Sequence, residues 1–286
     1  MNLFNTWQLN VVLALISVVV YFQFYKLAVR NAKRDGAATI LLQLIAGGFA
    51  LLISPLFAYT FPTDVKVYLL LGLASIFYTL NDRLQTTSRK HLQVSVYSIL
   101  SQTSNVFLIA IGLTFFAEPF TFLKIIGAGL IIVGNAFVFY KKGEFQINKY
   151  AWIGVVANFL FAIAISIDIG ISQQFNLLFY IMLTLIVPAV MLVAGERIKI
   201  SEVVGEYNSL ERKYYLVTGV AWALLIFFTL RAFKFGEVTT IVPLQATGVL
   251  LNVLVAYFFM GEKKDELKKI IAAIFAMVGV ALTVFG

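Results

Sequence analysis

The sequence predicts an all-α membrane protein of about ten transmembrane helices, arranged as two inverted five-helix repeats. Three observations lead there. The chain of 286 residues is 61% hydrophobic and only 13% charged, whereas soluble domains carry roughly a quarter charged residues. Apolar runs of about 20 residues recur along its whole length, as crossing a bilayer requires. Finally, the end of the first half is echoed in the second. The runs are continuous rather than alternating, which favours helices over a β-barrel.

The elements follow in order. Helix 1 is expected over Trp7–Leu27, followed by a basic loop with Arg30, Lys33 and Arg34. Helix 2 is expected over Thr39–Ala58, helix 3 over Val65–Lys90, helix 4 over Gln93–Phe116 and helix 5 over Phe122–Tyr140. The second set is Tyr150–Ile171, Leu177–Ala194, Tyr214–Phe235, Val238–Met260 and Leu267–Phe285. Glu196–Lys213 is the longest polar stretch and mixes both charge signs. Met1–Asn10 carries no basic residue and no small-residue cleavage site follows, so no cleavable signal is expected.

The repeat appears when Lys90 is set against Lys234. Val94 then meets Val238, Ser95 meets Thr239, Leu100 meets Leu244, Phe115 meets Phe259 and Glu118 meets Glu262. After one residue of slippage, Ile125-Ile126 meets Ile270-Ile271 and Gly134 meets Gly279. The expected units are residues 1–145 and 146–286. Five helices per unit is an odd number, so the second must enter the membrane upside down. Inverted repeats are a recurring device of secondary transporters, with the substrate held between the halves near the midplane.

The residues that carry this repeat also carry a resemblance. Ala232-Phe-Lys-Phe-Gly-Glu-Val-Thr-Thr-Ile-Val-Pro243-Leu, then Phe259-Met-Gly261-Glu262, and in the first half Lys90–Leu100 with Phe116-Ala117-Glu118-Pro119-Phe120-Thr121, are similar to EamA-type transporters of the drug/metabolite transporter superfamily. Two departures are Asn105, where proline is common, and Ala117, where glycine commonly precedes the glutamate. The resemblance implies ten helices, a central cavity, export or exchange of small metabolites, no enzymatic activity, no cofactor and no metal.

Candidate cavity residues come from polar stripes. Ser98, Ser101, Gln102 and Asn105 fall at i, i+3, i+4 and i+7, one face of helix 4, extended by Ser95. They either glue helices together or line a wet cavity; four in one stripe favour the cavity. Helix 9 offers Gln245, Gly248 and Asn252 beside Pro243. In helix 3, Tyr78, Asp82, Gln85 and Arg89 share a stripe, with Arg83 adjacent. Charges inside a span are costly and functional by default, unless helix 3 ends near Leu80 and leaves them in a loop. Asp82 is a candidate proton-coupling carboxylate, and Arg83 a candidate partner for a substrate carboxylate, for Asp82 or for another acid. Trp222 is a candidate stacking surface, Asp168 is expected at an interface, and His91 at a solvated loop end.

Net charge is +8. Nucleic acid is not the expected partner, because membrane proteins collect Lys and Arg in cytoplasmic loops. The expected partners are the lipid bilayer and a small-molecule substrate, with the chain a monomer or a homodimer. A nucleotide-sugar exchanger is the alternative within transport, and a non-transporting polytopic protein the alternative outside it. Basic residues follow helices 1, 3, 5, 7 and 9 in groups of four, two, three, four and four, against Lys66, Lys124, Arg231 and Lys234 on the other side. Positive loops stay inside, so both termini are expected outside the cytoplasmic membrane. The resembled superfamily is usually drawn the other way round.

Overall fold

In the computed structural model, the described residues are 6–56, 60–115, 121–141, 144–145, 147–235 and 238–285. Among them lie twelve helices: α1 Trp7–Val29, α2 Asp35–Ile53, α3 Val65–His91, α4 Val94–Leu100, α5 Thr103–Phe115, α6 Phe122–Phe139, α7 Lys149–Ile171, α8 Leu177–Glu196, α9 Ile200–Tyr207, α10 Arg212–Phe235, α11 Val238–Phe259 and α12 Glu266–Phe285. A two-residue antiparallel ladder, Tyr140–Lys141 with Glu144–Phe145, joins α6 to α7. The protein is therefore an all-helical, multi-pass membrane protein. Eight stretches of described helix are long and apolar enough to cross a bilayer, one of them running through α4 into α5 at Val94–Ile111. α11 has a shorter apolar part, Leu244–Phe259, and the long α3 is too polar in its second half to join that set.

Two elements differ from the sequence reading, while α3 keeps its expected length. α2 starts at Asp35 rather than Thr39, because the Asp35 carboxylate is fixed by Thr87 Oγ1 (2.6 Å) and Lys90 Nζ (2.9 Å) of α3. α3 does not end near Leu80; it runs unbroken to His91 and carries its polar half inside the bundle. The expected helix 4 is two helices that meet at Ser101–Gln102.

Lipid offers no hydrophobic drive for helix association, so close approach and interhelical hydrogen bonds decide the packing. α1 packs on α10, α3 on α7, α2 on α8 and α6 on α12. The α6–α12 seam is set by glycine. A Cβ on Gly127 would lie 2.5 Å from the Gly279 carbonyl oxygen, and one on Gly279 would lie 2.7 Å from that of Gly127. One turn pair away, Gly134 lies against the Ala272 carbonyl, 2.9 Å from where its Cβ would be. Gly219 brings α10 equally close to Ile45 of α2. Tyr21, Tyr25, Leu42, Ala46, Tyr215 and Trp222 form the largest buried cluster, joining α1, α2 and α10.

At the end where the basic loops gather, acids and bases interlock. Arg83 pairs with Glu196 (2.5 Å) and Asp35 (3.8 Å). Arg34 donates twice to Glu202 (2.8 and 2.9 Å) and once to the Glu196 carbonyl (2.5 Å). Those hydrogen bonds from Arg34 hold the Glu202 carboxyl below the usual carboxylate range.

Candidate functional site

The site is built on the second half of α3. Asp82 is buried and accepts three amide donors: Gln43 Nε2 of α2 at 2.8 Å, Asn81 Nδ2 at 2.8 Å and Gln85 Nε2 at 3.2 Å. No cation touches this carboxylate among the described residues. Fixed amide dipoles serve instead, which is how a buried charge is held when it has no ion-pair partner. The amide of Gln85 is itself oriented, because its oxygen accepts from Arg89 Nε (3.2 Å) and Tyr97 OH (3.3 Å). Gln43 Oε1 is fully buried without a hydrogen-bond partner.

Arg89 ends the chain of contacts. It is 5% exposed, and its guanidinium carbon lies 4.1–4.7 Å from four ring centroids: Phe22, Tyr97, Tyr25 and Tyr21. Each cation–π contact contributes about 0.5–2 kcal/mol. Together they offset much of the several kcal/mol it costs to bury a cation. Tyr25 OH donates to Thr86 Oγ1 (2.7 Å), which donates to the Asp82 carbonyl (2.8 Å), so the same rings are pinned to α3.

A second polar group lies beside it. Tyr78 OH donates to Asp168 Oδ2 at 2.7 Å, linking α3 to α7. Asp168 closes the apolar span Lys149–Asp168, at the far end as expected, and is buried there against α3. On the α1–α11 face, Gln23 Nε2 donates to the Asn252 carbonyl (3.1 Å) and its Oδ1 (3.4 Å). Gln23 Oε1 and Asn252 Nδ2 are left buried and unpartnered. Groups of this kind sit where a water or a ligand completes the bonding.

The sequence-predicted residues therefore fall into separate places. Asp82 is central and Tyr78 neighbours it. Trp222 faces Tyr21 of the cage, ring centroids 5.7 Å apart. Asn252 is joined to α1, while Gln245 bonds to Thr229 of α10 (3.3 Å). Arg83 belongs to the charged mouth rather than to the Asp82 network. Ser98 is buried. Ser101, Gln102 and Asn105 sit at the α4–α5 break, half-buried, in a local chain in which Asn105 Nδ2 donates to Gln102 Oε1 (3.1 Å) and Gln102 Nε2 to Ser101 Oγ (3.3 Å). Glu118 and Ala117 lie outside the described residues, as do the side chains of Thr239 and Pro243. His91 is exposed and stacks on Tyr150 at 3.7 Å. The sequence reading counted Arg89 as a loop cation. Its place in the Tyr78–Asp82–Gln85 stripe was the signal for burial.

A solved crystal structure matches this fold with a TM-score of 0.62, over 94% of this chain and 95% of the other, at 12% sequence identity. No curated protein matches the sequence. The model of the EamA-like transporter family matches residues 5–140, which hold α1–α6 with Asp82, Arg89 and all four cage rings, three on α1 and one on α4. That first half is what matches the EamA-like transporter family, which lies within the drug/metabolite transporter superfamily.

Proposed function

We propose that the protein is a secondary transporter of small polar or amphipathic metabolites, working by alternating access through a cavity between two inverted five-helix units, residues 1–145 and 146–286. The observation that carries this reading is Asp82, a carboxylate buried in a spanning bundle and held only by amide donors, one turn pair from a caged Arg89. Intramembrane ionisable groups of this kind mark substrate and proton pathways.

Helix pairing supports the two units. Exchanging the halves turns α1–α10 into α7–α3, α1–α11 into α7–α5, and α2–α10 into α8–α3; α2–α8 and α6–α12 become themselves. Every one of these pairs is in contact. The glycine seam obeys the same exchange. The offset that sets Gly134 against Gly279 sets Gly127 against Ala272, so the Gly134–Ala272 and Gly279–Gly127 approaches are images of one another.

The test is a metabolite-panel melting screen on the detergent-solubilised protein, followed by flux of the hits in proteoliposomes. A ligand that binds only the folded state raises the melting temperature. Saturable flux of at least one stabilising metabolite is expected, and Gln102→Leu or Asn105→Leu is expected to cut it at least fivefold with folded yield retained. Hits that bind but show no saturable flux would leave a non-transporting protein.

A further inference from the structure

The connector between α8 and α10 contains α9, and α9 has two unlike faces. Glu202 and Glu206 turn toward the first loop. Arg34 holds Glu202, while the backbone N–H groups of Lys33 (2.7 Å) and Arg34 (3.2 Å) donate to Glu206 Oε1. Tyr215 OH donates to the other Glu206 oxygen at 3.2 Å. The opposite face is apolar and open. Ile200 is 80% exposed and Val204 48%, one turn apart, and Leu210 beyond the helix is 94% exposed. Arg197 and Lys199 precede them in the chain, Arg212 and Lys213 follow, and all four are exposed.

The height of α9 is fixed by its neighbours. Glu196, four residues before it, is paired with Arg83 of α3, and Arg34, the residue before α2, is bonded to Glu202. α9 thus lies level with the ends of the spanning helices α2 and α8, where hydrocarbon gives way to headgroups. A single exposed apolar side chain means little. Three on one side of a short connector, with cations before and after them in the chain, form the pattern of an interfacial helix.

We propose that α9 and Leu210 are a membrane anchor: Ile200, Val204 and Leu210 enter the headgroup–acyl boundary of the leaflet on the basic side, and Arg197, Lys199, Arg212 and Lys213 bind its anionic headgroups. A second copy of the chain is a poorer occupant, because the same four cations would face one another. Anionic lipid answers both the apolar and the basic part of the surface.

The chain has no native cysteine, so single cysteines at 200, 204, 210 and, as a control off the apolar stripe, at exposed Gly205, where a Cβ meets nothing within 4 Å, accept a spin label cleanly. The full chain is reconstituted in 3:1 phosphatidylcholine–phosphatidylglycerol vesicles and in phosphatidylcholine alone. Labels at 200, 204 and 210 are expected to collide with a water-soluble nickel chelate at least fivefold less often than the label at 205, and with oxygen more often. The protection should weaken in phosphatidylcholine alone and in Lys199→Glu/Lys213→Glu. Equal nickel access at all four positions overturns the anchor. Protection that is the same in both vesicles overturns the anionic-headgroup assignment.

Discussion

Asp82 and Arg89 lie two turns apart on one helix, and their charges meet only through Gln85. Arg89 donates to the amide oxygen, so the amide nitrogen must face Asp82. The carboxylate is thereby matched to a set of donors that a neutral side chain cannot satisfy. In Asp82→Asn the new amide NH2 would face other N–H groups, leaving a buried donor unmatched at about 1–3 kcal/mol. Gradient-driven transport in proteoliposomes is expected to fall at least tenfold, while ligand-induced stabilisation in the melting assay stays measurable. Wild-type flux and pH dependence in the variant would remove Asp82 from the mechanism. The Tyr78–Asp82–Gln85–Arg89 stripe was readable in sequence because polar residues at helical spacing stand out in apolar surroundings. What encloses Arg89 was not. Beside Lys90 and His91 it looks like a loop cation, and what encloses it are rings on α1 and α4 that sequence spacing does not place against it.

At the scale of the element, the break between α4 and α5 comes from outside the helix. Residues 94–111 contain no glycine or proline, and so they read as one continuous span. The cause is Asn158 of α7, whose Nδ2 donates to the Leu100 carbonyl (2.9 Å) and to Thr103 Oγ1 (3.0 Å). The backbone tightens around the insertion: Gln102 N–H bonds to Ile99 O, Ser104 N–H to Ser101 O and Asn105 N–H to Gln102 O, three residues back rather than four. A side chain inserted into the ladder is a known origin of kinks, and mid-helix stretches of this tighter kind often act as hinges. Gly154, one turn earlier on α7, permits the approach, since a Cβ there would lie 2.7 Å from both Leu100 Cδ2 and Ser88 Oγ. Asn158→Leu removes the inserted donor and leaves the Leu100 carbonyl with Thr103 Oγ1 (2.8 Å). Flux is expected to drop about tenfold, with the melting temperature lowered but the transition still cooperative. Full flux would make the break mere packing. The four-residue stripe of helix 4 was legible from its period, but its register was not, because the tightened turn rotates Gln102 and Asn105 relative to Ser98.

For the molecule as a whole, composition alone gave a helical membrane protein, and the weak repeat anticipated a pairing scheme that survives exchange of the halves. Identity that low placed few contacts, since small residues such as Gly127 and Ala272 become meaningful only when the partner helix is known. The distribution of cations makes a further whole-chain prediction. Loops rich in Lys and Arg gather at the end that holds Arg34, Arg83, Lys90 and α9, and such ends face the cytoplasm. Single cysteines at Asn5 and at Lys33, whose side chain is exposed, can be challenged in intact cells with an impermeant thiol reagent. Reaction at 5 and not at 33 is expected; the reverse pattern would put the termini in the cytoplasm. The connector before α12 also has a bearing on how the protein is made. Glu262 accepts from the backbone N–H groups of Val94 (2.7 Å) and Ser95 (3.1 Å) and from the Ser95 hydroxyl, and Lys269 stands 3.7 Å behind it. The cap and the helix it closes are 168 residues apart. At ribosomal speeds of about 5–20 residues per second, α4 waits roughly 10–30 s for its cap after it has left the tunnel. During that interval α1–α6 sit in the bilayer with an open helix end, which the α11–α12 hairpin later closes.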